Sequence, residues 1–244
     1  MADEALHITN GILLIVYCSI TIYVGLRIMS KYFKYRQVDL LYVGFAWFTL
    51  SSPFWPACTS FILVFIFNLA PLGPQAYFLI GNIMISPGMV AWIIAITDLL
   101  NIQKRKLIII VSAIGNAIFV MFFLYFLIMD HSVIGELRGE TDVLYRNFVS
   151  IYLMAVVITI FITGLLFARV SLRSDKPDIK LKGKLLIVAF ISFTVGALLD
   201  AALPLSFITL PIFRSLEILG AITFYGGYIL PKWMKKLFLK EKES

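Results

Sequence analysis

The stretch LIIIVSAIGNAIFVMFFLYFLIM, residues 107–129, decides the fold, because it holds no charged side chain over a length that crosses a lipid bilayer. In hydrocarbon the backbone must satisfy its own hydrogen bonds, so such a run predicts a transmembrane helix. The whole chain shares this character: of its 244 residues, 61% are hydrophobic and 14% are charged, and the mean hydropathy is +0.95. This composition excludes a soluble enzyme, a disordered chain and a disulfide-stabilised secreted module.

Seven apolar segments of this kind predict an all-α, polytopic membrane protein built as a seven-transmembrane-helix bundle. They cover residues 11–30, 40–68, 76–100, 107–129, 148–168, 185–207 and 211–230. We expect one transmembrane domain, residues 1–230, followed by a basic amphipathic tail, residues 231–244. In that tail a helix would place four side chains at the lipid headgroups, namely Trp233, Met234, Leu237 and Phe238.

The distribution of basic residues predicts the orientation of the bundle. Eighteen of the 21 Lys and Arg residues lie in segments that seven crossings place on one side, residues 27–36, 104–106, 169–184 and 232–242. Basic residues next to membrane spans are retained in the cytoplasm, so we expect an outside N-terminus and an inside C-terminus in a multi-pass cytoplasmic membrane protein. The basic side would contact anionic lipid headgroups, and the net charge of +7 therefore requires no nucleic-acid partner.

Proline interrupts two of the predicted spans. Pro53 and Pro56 follow two serines in the second span, and Pro87 follows Ser86 in the third. Each proline removes a backbone hydrogen bond and clashes with the preceding turn, which predicts a kink or an unwound turn. The serines can satisfy the freed carbonyls in a purely structural role. Alternatively, the three prolines are hinges beside a cavity.

Enzymatic chemistry is disfavoured by the residues that are missing from the spans. The two histidines, His7 and His131, lie outside them, which leaves no histidine ligand for haem, no Ser-His pair and no histidine-based metal site within the bundle. Asp98 and Asp200 lie at opposite ends of their spans, so they do not form a catalytic pair. We therefore expect no enzyme, no catalytic residue, no metal and no cofactor.

Asp200, Arg214 and Glu217 are the strongest candidates for a ligand-binding site, because ionisable groups in a membrane are costly unless they are paired. Asp200 lies about 10 Å below the outer end of the sixth span, and Arg214 and Glu217 lie in the first turns of the seventh. Two carboxylates and one guanidinium leave one negative charge, which a proton, a bound cation or an amine-bearing ligand would balance. The alternative is a structural cluster that fastens two helices and holds no ligand.

Other polar residues extend the candidate site. Asn82, Ser86 and Trp55 could face the same outer cavity from the second and third spans. Asp98 precedes a basic run, residues 104–106, at the inner mouth of the bundle. It is either an anchor for those residues or an inner-face switch that controls opening.

In the number and orientation of its predicted spans the chain resembles heptahelical receptors and rhodopsins. However, no lysine lies between residues 218 and 230 to hold retinal. The receptor signature is also missing, since Asp98 is followed by Leu99 rather than arginine. The segments SDKPDIKLKGK at 174–184, GALLD at 196–200 and FYG at 224–226 resemble a group of uncharacterised archaeal seven-span membrane proteins. That resemblance implies a location in the cytoplasmic membrane and transfers no ligand.

The residues favour a receptor-like or sensory protein that binds a small molecule or cation near Asp200, Arg214 and Glu217. Movement of the proline-broken spans would pass the signal to a separate cytoplasmic or membrane protein partner. Two alternatives stay open: a transporter or proton/cation pathway that uses the same carboxylates, and a non-catalytic membrane scaffold subunit.

Overall fold

A computed structural model describes residues 2–239, except for the side chains of Ala2, Asp3 and Asn147. Of the described residues, 81% are helical, and six helical segments are long and apolar enough to cross a bilayer. These are Glu4–Tyr35, Asp39–Ile66, Pro74–Leu99, Arg105–Met129, Phe148–Leu172 and Pro177–Ala202. The structure is therefore consistent with an all-α polytopic membrane protein.

The bounds of the α-helices are α1 Ala2–Tyr35, α2 Asp39–Leu50, α3 Trp55–Phe61, α4 Pro74–Asn82, α5 Ile85–Leu99, α6 Arg105–Met129, α7 Asn147–Leu172, α8 Pro177–Ala202, α9 Thr209–Ile229 and α10 Lys232–Phe238. The longest connection between successive α-helices, residues 130–146, lies between α6 and α7.

Both proline-containing segments leave α-helical geometry. A 3-10 turn, Ser52–Phe54, separates α2 from α3, and a π-helical turn, Ile62–Ile66, follows α3. Pro53 lies in the 3-10 turn and Pro56 lies in the first turn of α3. In the next segment α4 ends at Asn82 and α5 begins at Ile85, so Pro87 lies in the first turn of α5.

Helix α9 is not among the six apolar segments, although it has 21 residues. Arg214 and Glu217, together with the glycines and tyrosines of its second half, lower its hydropathy. It nevertheless runs the length of α8 in the opposite direction, because Arg214 meets Asp200 at one end and Lys182 Nζ donates to the Tyr228 carbonyl at the other. The charged residues of α9 therefore face the interior of the bundle rather than its surface.

The helices pack as a closed ring in the order α1, α2, α5, α7, α8 and α9, with α9 returning to α1. The core of this ring is rich in aromatic residues, and its fully buried side chains include Tyr17, Trp92, Phe190 and Phe224. Helix α6 packs on the outside of α5 and leaves a wide apolar face exposed. Such a face fits contact with lipid.

A short β-hairpin, which the apolar runs did not predict, covers one end of the ring. Strands β1, Gly135–Leu137, and β2, Val143–Tyr145, pair antiparallel with Glu136 opposite Leu144. We call this the hairpin end, and we call the opposite end, which carries Arg36, Arg105 and α10, the basic end. The loop between the strands contains Gly139 at a φ of 79°, where a side chain would be strained.

The predicted tail helix forms as α10, but its four apolar residues do not share one environment. Met234 is buried against Leu181 and Leu185 of α8, whereas the other three side chains are exposed. The Lys235 ammonium also pairs with Asp178 at 2.7 Å. The tail thus docks on the basic end of the bundle through one buried apolar side chain and one ion pair, and residues 240–244 lie outside the described part of the chain.

Candidate functional site

Arg214 is the centre of a buried polar cluster at the hairpin end. Its guanidinium holds Asp200 through two nitrogens, Nη2 at 3.1 Å and Nη1 at 3.3 Å, and Nη1 also donates to Glu217 at 2.7 Å. Its Nε donates to the Asn10 side-chain oxygen of α1 at 3.1 Å. The structure thus brings together the three charged residues singled out from the sequence, and we call them, with Asn10, the Arg214 cluster.

The short connection between α8 and α9 positions these side chains. Ser206 and Thr209 each accept the backbone N–H of the other through a hydroxyl oxygen, at 3.1 Å and 3.0 Å, which fixes the start of α9. Gly196 of α8 then lets α9 approach closely, because a Cβ there would lie 3.0 Å from Glu217 Cγ. Arg214 and Asp200 meet because both lie within a few turns of this connection.

Asn10 links the cluster to the hairpin. Its Nδ2 donates to the Thr141 carbonyl at 3.0 Å and lies 3.2 Å from the Thr141 hydroxyl, which also bonds the His7 ring at 3.0 Å. The His7 Nε2 in turn lies 3.9 Å from Glu140. These contacts hold the β-hairpin loop on the first turns of α1, directly over the Arg214 cluster.

Phe54 covers the guanidinium from the proline-broken segment. The Arg214 Cζ lies 5.2 Å from the Phe54 ring centre, and Tyr17 meets the same ring edge-on at 5.2 Å. A guanidinium over an aromatic face gains a favourable electrostatic contact in a desolvated site. The 3-10 turn around Pro53 therefore contacts the charged cluster directly.

Glu217 is the most deeply buried member of the cluster, with a side chain that is 0% exposed. Its Oε2 accepts from Arg214, whereas its Oε1 has no hydrogen-bond partner among the described residues. Buried polar atoms in folded proteins are almost always hydrogen-bonded. The unmatched oxygen and the excess of one carboxylate therefore both point to a missing positive or proton-bearing partner.

A cavity of about 380 Å³ opens beside the cluster at the hairpin end. Asp200 and Arg214 lie in its wall, and Asp200 keeps a side-chain exposure of 20%. Its other polar groups are Arg138, Thr141, Asp142, Tyr145 and Ser150, and its apolar lining includes Leu14, Leu50, Phe54, Tyr77, Leu153, Val157 and Phe193. This volume and mixture of groups suit a small organic ligand with one polar end.

The hairpin supplies a second carboxylate to the cavity wall. Burial raises the pKa of Asp142 above its ordinary value, although its Oδ1 accepts the Val143 N–H at 2.8 Å. Burial likewise raises the pKa of the Tyr145 hydroxyl to about 12, so this group remains neutral at physiological pH. The charged groups on the cavity wall are thus Asp142, Asp200, Arg138 and Arg214, with Glu217 behind Arg214.

The structure places the other three predicted ligand-binding residues outside the lining of this cavity. Asn82 is buried and donates to the Tyr145 hydroxyl at 3.1 Å, so it supports a lining residue from behind. Ser86 bonds Tyr152, and the indole N–H of Trp55 donates to Ser51 at 3.0 Å. Of the three predicted hinge prolines, Pro53 alone lines the cavity.

Asp98 pairs with one residue of the basic run that follows it. Its Oδ1 lies 2.6 Å from Arg105 Nη1, and both side chains are about 40% exposed. This contact is a partly solvated ion pair at the basic end, far from the cavity. It fits the anchoring role, and an action of Asp98 as a switch stays a prediction.

Several residues of the site were not identified from the sequence. Asn10, Thr141, Asp142 and Phe54 belong to segments whose spatial neighbours depend on the closed ring and on the hairpin. For the hairpin a signal was present, since Gly139 separates two short runs that contain β-branched and aromatic residues. For Asn10 no signal in the first span indicated which helix it faces.

No group of three or more His, Cys, Asp or Glu side chains within residues 2–239 is arranged to hold a metal ion. The fold and the site thus define a class, a helical membrane protein with a charged, ligand-sized cavity at one end. No protein-family model and no curated protein matches the chain.

Proposed function

We propose that the protein is a receptor-like or sensory seven-span membrane protein that binds a small organic cation in the cavity at the hairpin end. The single observation that carries this proposal is the position of the Arg214 cluster, which has one more carboxylate than guanidinium, beside a largely apolar cavity of about 380 Å³. A cation with an apolar body would place its charge near Asp200 and Asp142 and its body among the leucine and phenylalanine side chains.

The proposal includes α9 as the seventh span and places the hairpin end outside the cytoplasmic membrane. Support for a seventh span comes from the 21 residues of α9, which are enough to cross a bilayer, and from its antiparallel packing along α8. Support for the orientation comes from the basic residues, which gather at the other end and would remain in the cytoplasm. The anionic lipids of the inner leaflet would then contact the basic end.

Signalling would begin at the broken segment between α2 and α3. Leu50, Pro53, Phe54 and Ala57 line the cavity, so a ligand would press on the 3-10 turn directly. A turn that lacks regular hydrogen bonds is more easily reshaped than a continuous helix. Its movement would shift α2, whose other end lies beside Asp98 and Arg105, and would alter the basic end for a cytoplasmic or membrane protein partner.

Binding can be tested with three matched probes that share one apolar body: 4-phenylbutyltrimethylammonium, 4-phenylbutanol and 4-phenylbutanoate. Isothermal titration of the purified protein in nanodiscs should give the tightest binding for the cation and the weakest for the carboxylate. In an Asp142→Asn, Asp200→Asn double variant the preference for the cation over the alcohol should fall at least tenfold. An Asp98→Asn variant at the basic end is the matched control, and it should keep the parent's preference for the cation over the alcohol.

Equal affinity for the three probes would contradict the proposal. So would a preference for the cation that the double variant retains. If instead the variant loses both binding and its folded state, circular dichroism and the melting temperature will show it, and the single Asp142→Asn variant then carries the test.

A further inference from the structure

A second cavity, of about 370 Å³, lies at the basic end of the bundle. It is bounded by residues of the helices that also border the cavity at the hairpin end, including Asp39 of α2, Lys182 and Leu186 of α8, and Gly227 and Tyr228 of α9. The same three helices contribute Leu50, Phe193 and Arg214 to the first cavity. The two cavities therefore share walls and lie one above the other along the bundle.

Four aromatic rings form a continuous column between the cavities. Phe193, in the wall of the first cavity, lies 6.0 Å from Trp47, which stacks on Phe224 with ring centres 3.6 Å apart. Phe224 lies 5.3 Å from Tyr228, which lines the second cavity. We call this set, Phe193, Trp47, Phe224 and Tyr228, the aromatic column.

The aromatic column is dry and thin. Trp47 and Phe224 are 3% and 0% exposed, so water does not reach the stacked pair. On α8 the separation from Phe193 to Leu186, which line the two cavities, is about 10 Å at the rise of an α-helix. The aromatic column thus lies in a packed layer about 10 Å thick between the two cavities.

Two polar atoms near this barrier lack partners among the described residues. The Trp47 indole N–H is buried without an acceptor, and Glu217 Oε1 is buried without a donor. Glu217 lies two helical turns from Phe224 on the same helix, between it and the first cavity. Unpaired groups of this kind are unfavourable in a permanently sealed core but are useful along a route that a polar solute or water enters.

Glycines on α9 let it pack closely against α8. A Cβ added to Gly220 would lie 3.1 Å from the Phe193 backbone, and one added to Gly227 would lie 2.5 Å from Leu186. Small residues at a helix interface let the two backbones approach closely. A shear of α9 along α8 would move Phe224 away from Trp47 and would release the Arg214–Asp200 and Lys182–Tyr228 contacts.

We infer that the two cavities are the two ends of one translocation pathway for small organic cations and that the aromatic column is its closed gate. The inference takes its substrate class from the function proposed above. A cation would enter beside Asp200 and Asp142, pass Glu217 and the separated rings, and leave past Asp39.

The flux test uses 4-phenylbutyltrimethylammonium, whose fixed charge prevents it from crossing lipid unaided. Vesicles containing the parent protein should accumulate this cation saturably and at least tenfold faster than protein-free vesicles. Trp47→Ala should raise the flux at least a further tenfold because it removes the stack. Phe119→Ala is the matched control. Phe119 stacks on Tyr152 with ring centres 3.5 Å apart, and neither residue borders a cavity, so this variant should leave the flux unchanged.

Accessibility of single cysteines provides a second measurement that needs no gate variant. In a Cys18→Ser, Cys58→Ser chain, Ala201→Cys would line the first cavity and Ser171→Cys the second. A membrane-impermeant maleimide should label each position from one side of the vesicle only, and from opposite sides. Labelling of both from the same side would overturn the inference.

The two proposals fail in different ways. If the cation binds in the nanodisc titration but the parent vesicles show no flux above protein-free vesicles, the pathway is wrong and the binding function stands. If the cation neither binds nor crosses, both are wrong. If Trp47→Ala does not fold, Phe224→Leu replaces it and should raise the flux in the same direction.

Discussion

Arg214 and Asn10 are 204 residues apart in the chain, yet the arginine Nε donates to the asparagine oxygen at 3.1 Å. Through this one bond the last long helix, the first helix and the β-hairpin share a buried network, because Asn10 also holds Thr141. The Arg214 cluster therefore contacts both the β-hairpin above it and the proline-broken turn at Phe54. A change at any one of them is transmitted through direct contacts.

Replacing Arg214 should be the most damaging single change in the cluster. Arg214→Met leaves Asp200 and Glu217 close together without their counter-charge, so we expect a loss of about 3 kcal/mol or more in the free energy of unfolding. Reversible unfolding in mixed micelles with increasing dodecyl sulfate measures this quantity.

The matched control for that change is the triple variant Arg214→Met, Asp200→Asn, Glu217→Gln. Removing all three charges together should recover at least half of the lost stability, since neutral groups of similar shape avoid the cost of unpaired buried charge. A triple variant no more stable than Arg214→Met would show that the ion pairs are not the cause.

Asn10 should contribute more to stability than its size suggests. Asn10→Ala removes the acceptor of Arg214 Nε and the donor to Thr141, and we expect a loss of about 2 kcal/mol. Thr9→Ala lies one residue away, where the exposed hydroxyl bonds only its own helix, and should cost less than about 0.5 kcal/mol. Similar losses in both variants would contradict the proposed network.

The two cysteines should form a disulfide when a membrane-permeant oxidant is supplied. Their sulfur atoms lie 3.4 Å apart between α1 and α3. Treatment with diamide should remove both thiols from each chain, measured as loss of two polymer-maleimide adducts after denaturation. Cys18→Ser keeps one reactive thiol under the same treatment, and persistence of both thiols in the parent would contradict the packing of α1 on α3.

The hairpin should respond to pH through Asp142. Because burial raises its pKa, the folded state favours the neutral acid, and the parent loses stability as pH rises through the raised pKa. Asp142→Asn should therefore melt above the parent at pH 7, with the difference shrinking as pH falls to the ordinary carboxyl value. The ionisable groups that act on Asp142 are Asp200, Arg138 and His7.

Asp130 provides the opposite control for that pH effect. Hydrogen bonds from Ser132 lower its pKa, so its contribution is present above the ordinary carboxyl value and is lost as pH falls. The melting temperature of Asp130→Asn should therefore approach that of the parent in acid, from below. If lowering the pH changes the melting temperatures of Asp142→Asn and Asp130→Asn in the same direction relative to the parent, the role assigned to Asp142 is wrong.

The ion pair at the basic end should matter little for stability. Asp98 and Arg105 are both about 40% exposed, and partly solvated pairs contribute about 1 kcal/mol or less. Asp98→Asn should therefore unfold within about 1 kcal/mol of the parent in the same micelle titration. A loss near that of Arg214→Met would show that Asp98 has a buried role.

The long apolar runs predicted most of the fold, because a helix that satisfies its own backbone is the simplest solution in hydrocarbon. The breaks at Pro53 and Pro87 followed from the missing backbone N–H of proline in the same way. The hairpin was missed although Gly139 gave a turn signal, because strands of three residues leave almost no periodic pattern on either side of it. The split environment of α10 was missed because burial of Met234 depends on the surface of α8.

For the site, the sequence predicted the meeting of Asp200, Arg214 and Glu217, since a short connection between two helices brings residues of equal depth together. It placed Asn82, Ser86 and Trp55 less well, because a position within a span does not determine which face of the helix turns inward. Asn10 was the larger omission. Its pairing with Arg214 depends on how the ring closes, and no local pattern specifies that closure.

The contact between α1 and α9 has a consequence for biosynthesis. Helix α1 leaves the ribosome long before α9 is made, so the face of α1 that contacts α9 in the folded protein is at first without that contact. Asp200 and Arg214 emerge together and can neutralise each other during insertion, whereas the Asn10 side-chain oxygen meets Arg214 Nε only when translation is nearly complete. Ring closure is therefore a late event, and truncation before α9 leaves an open bundle.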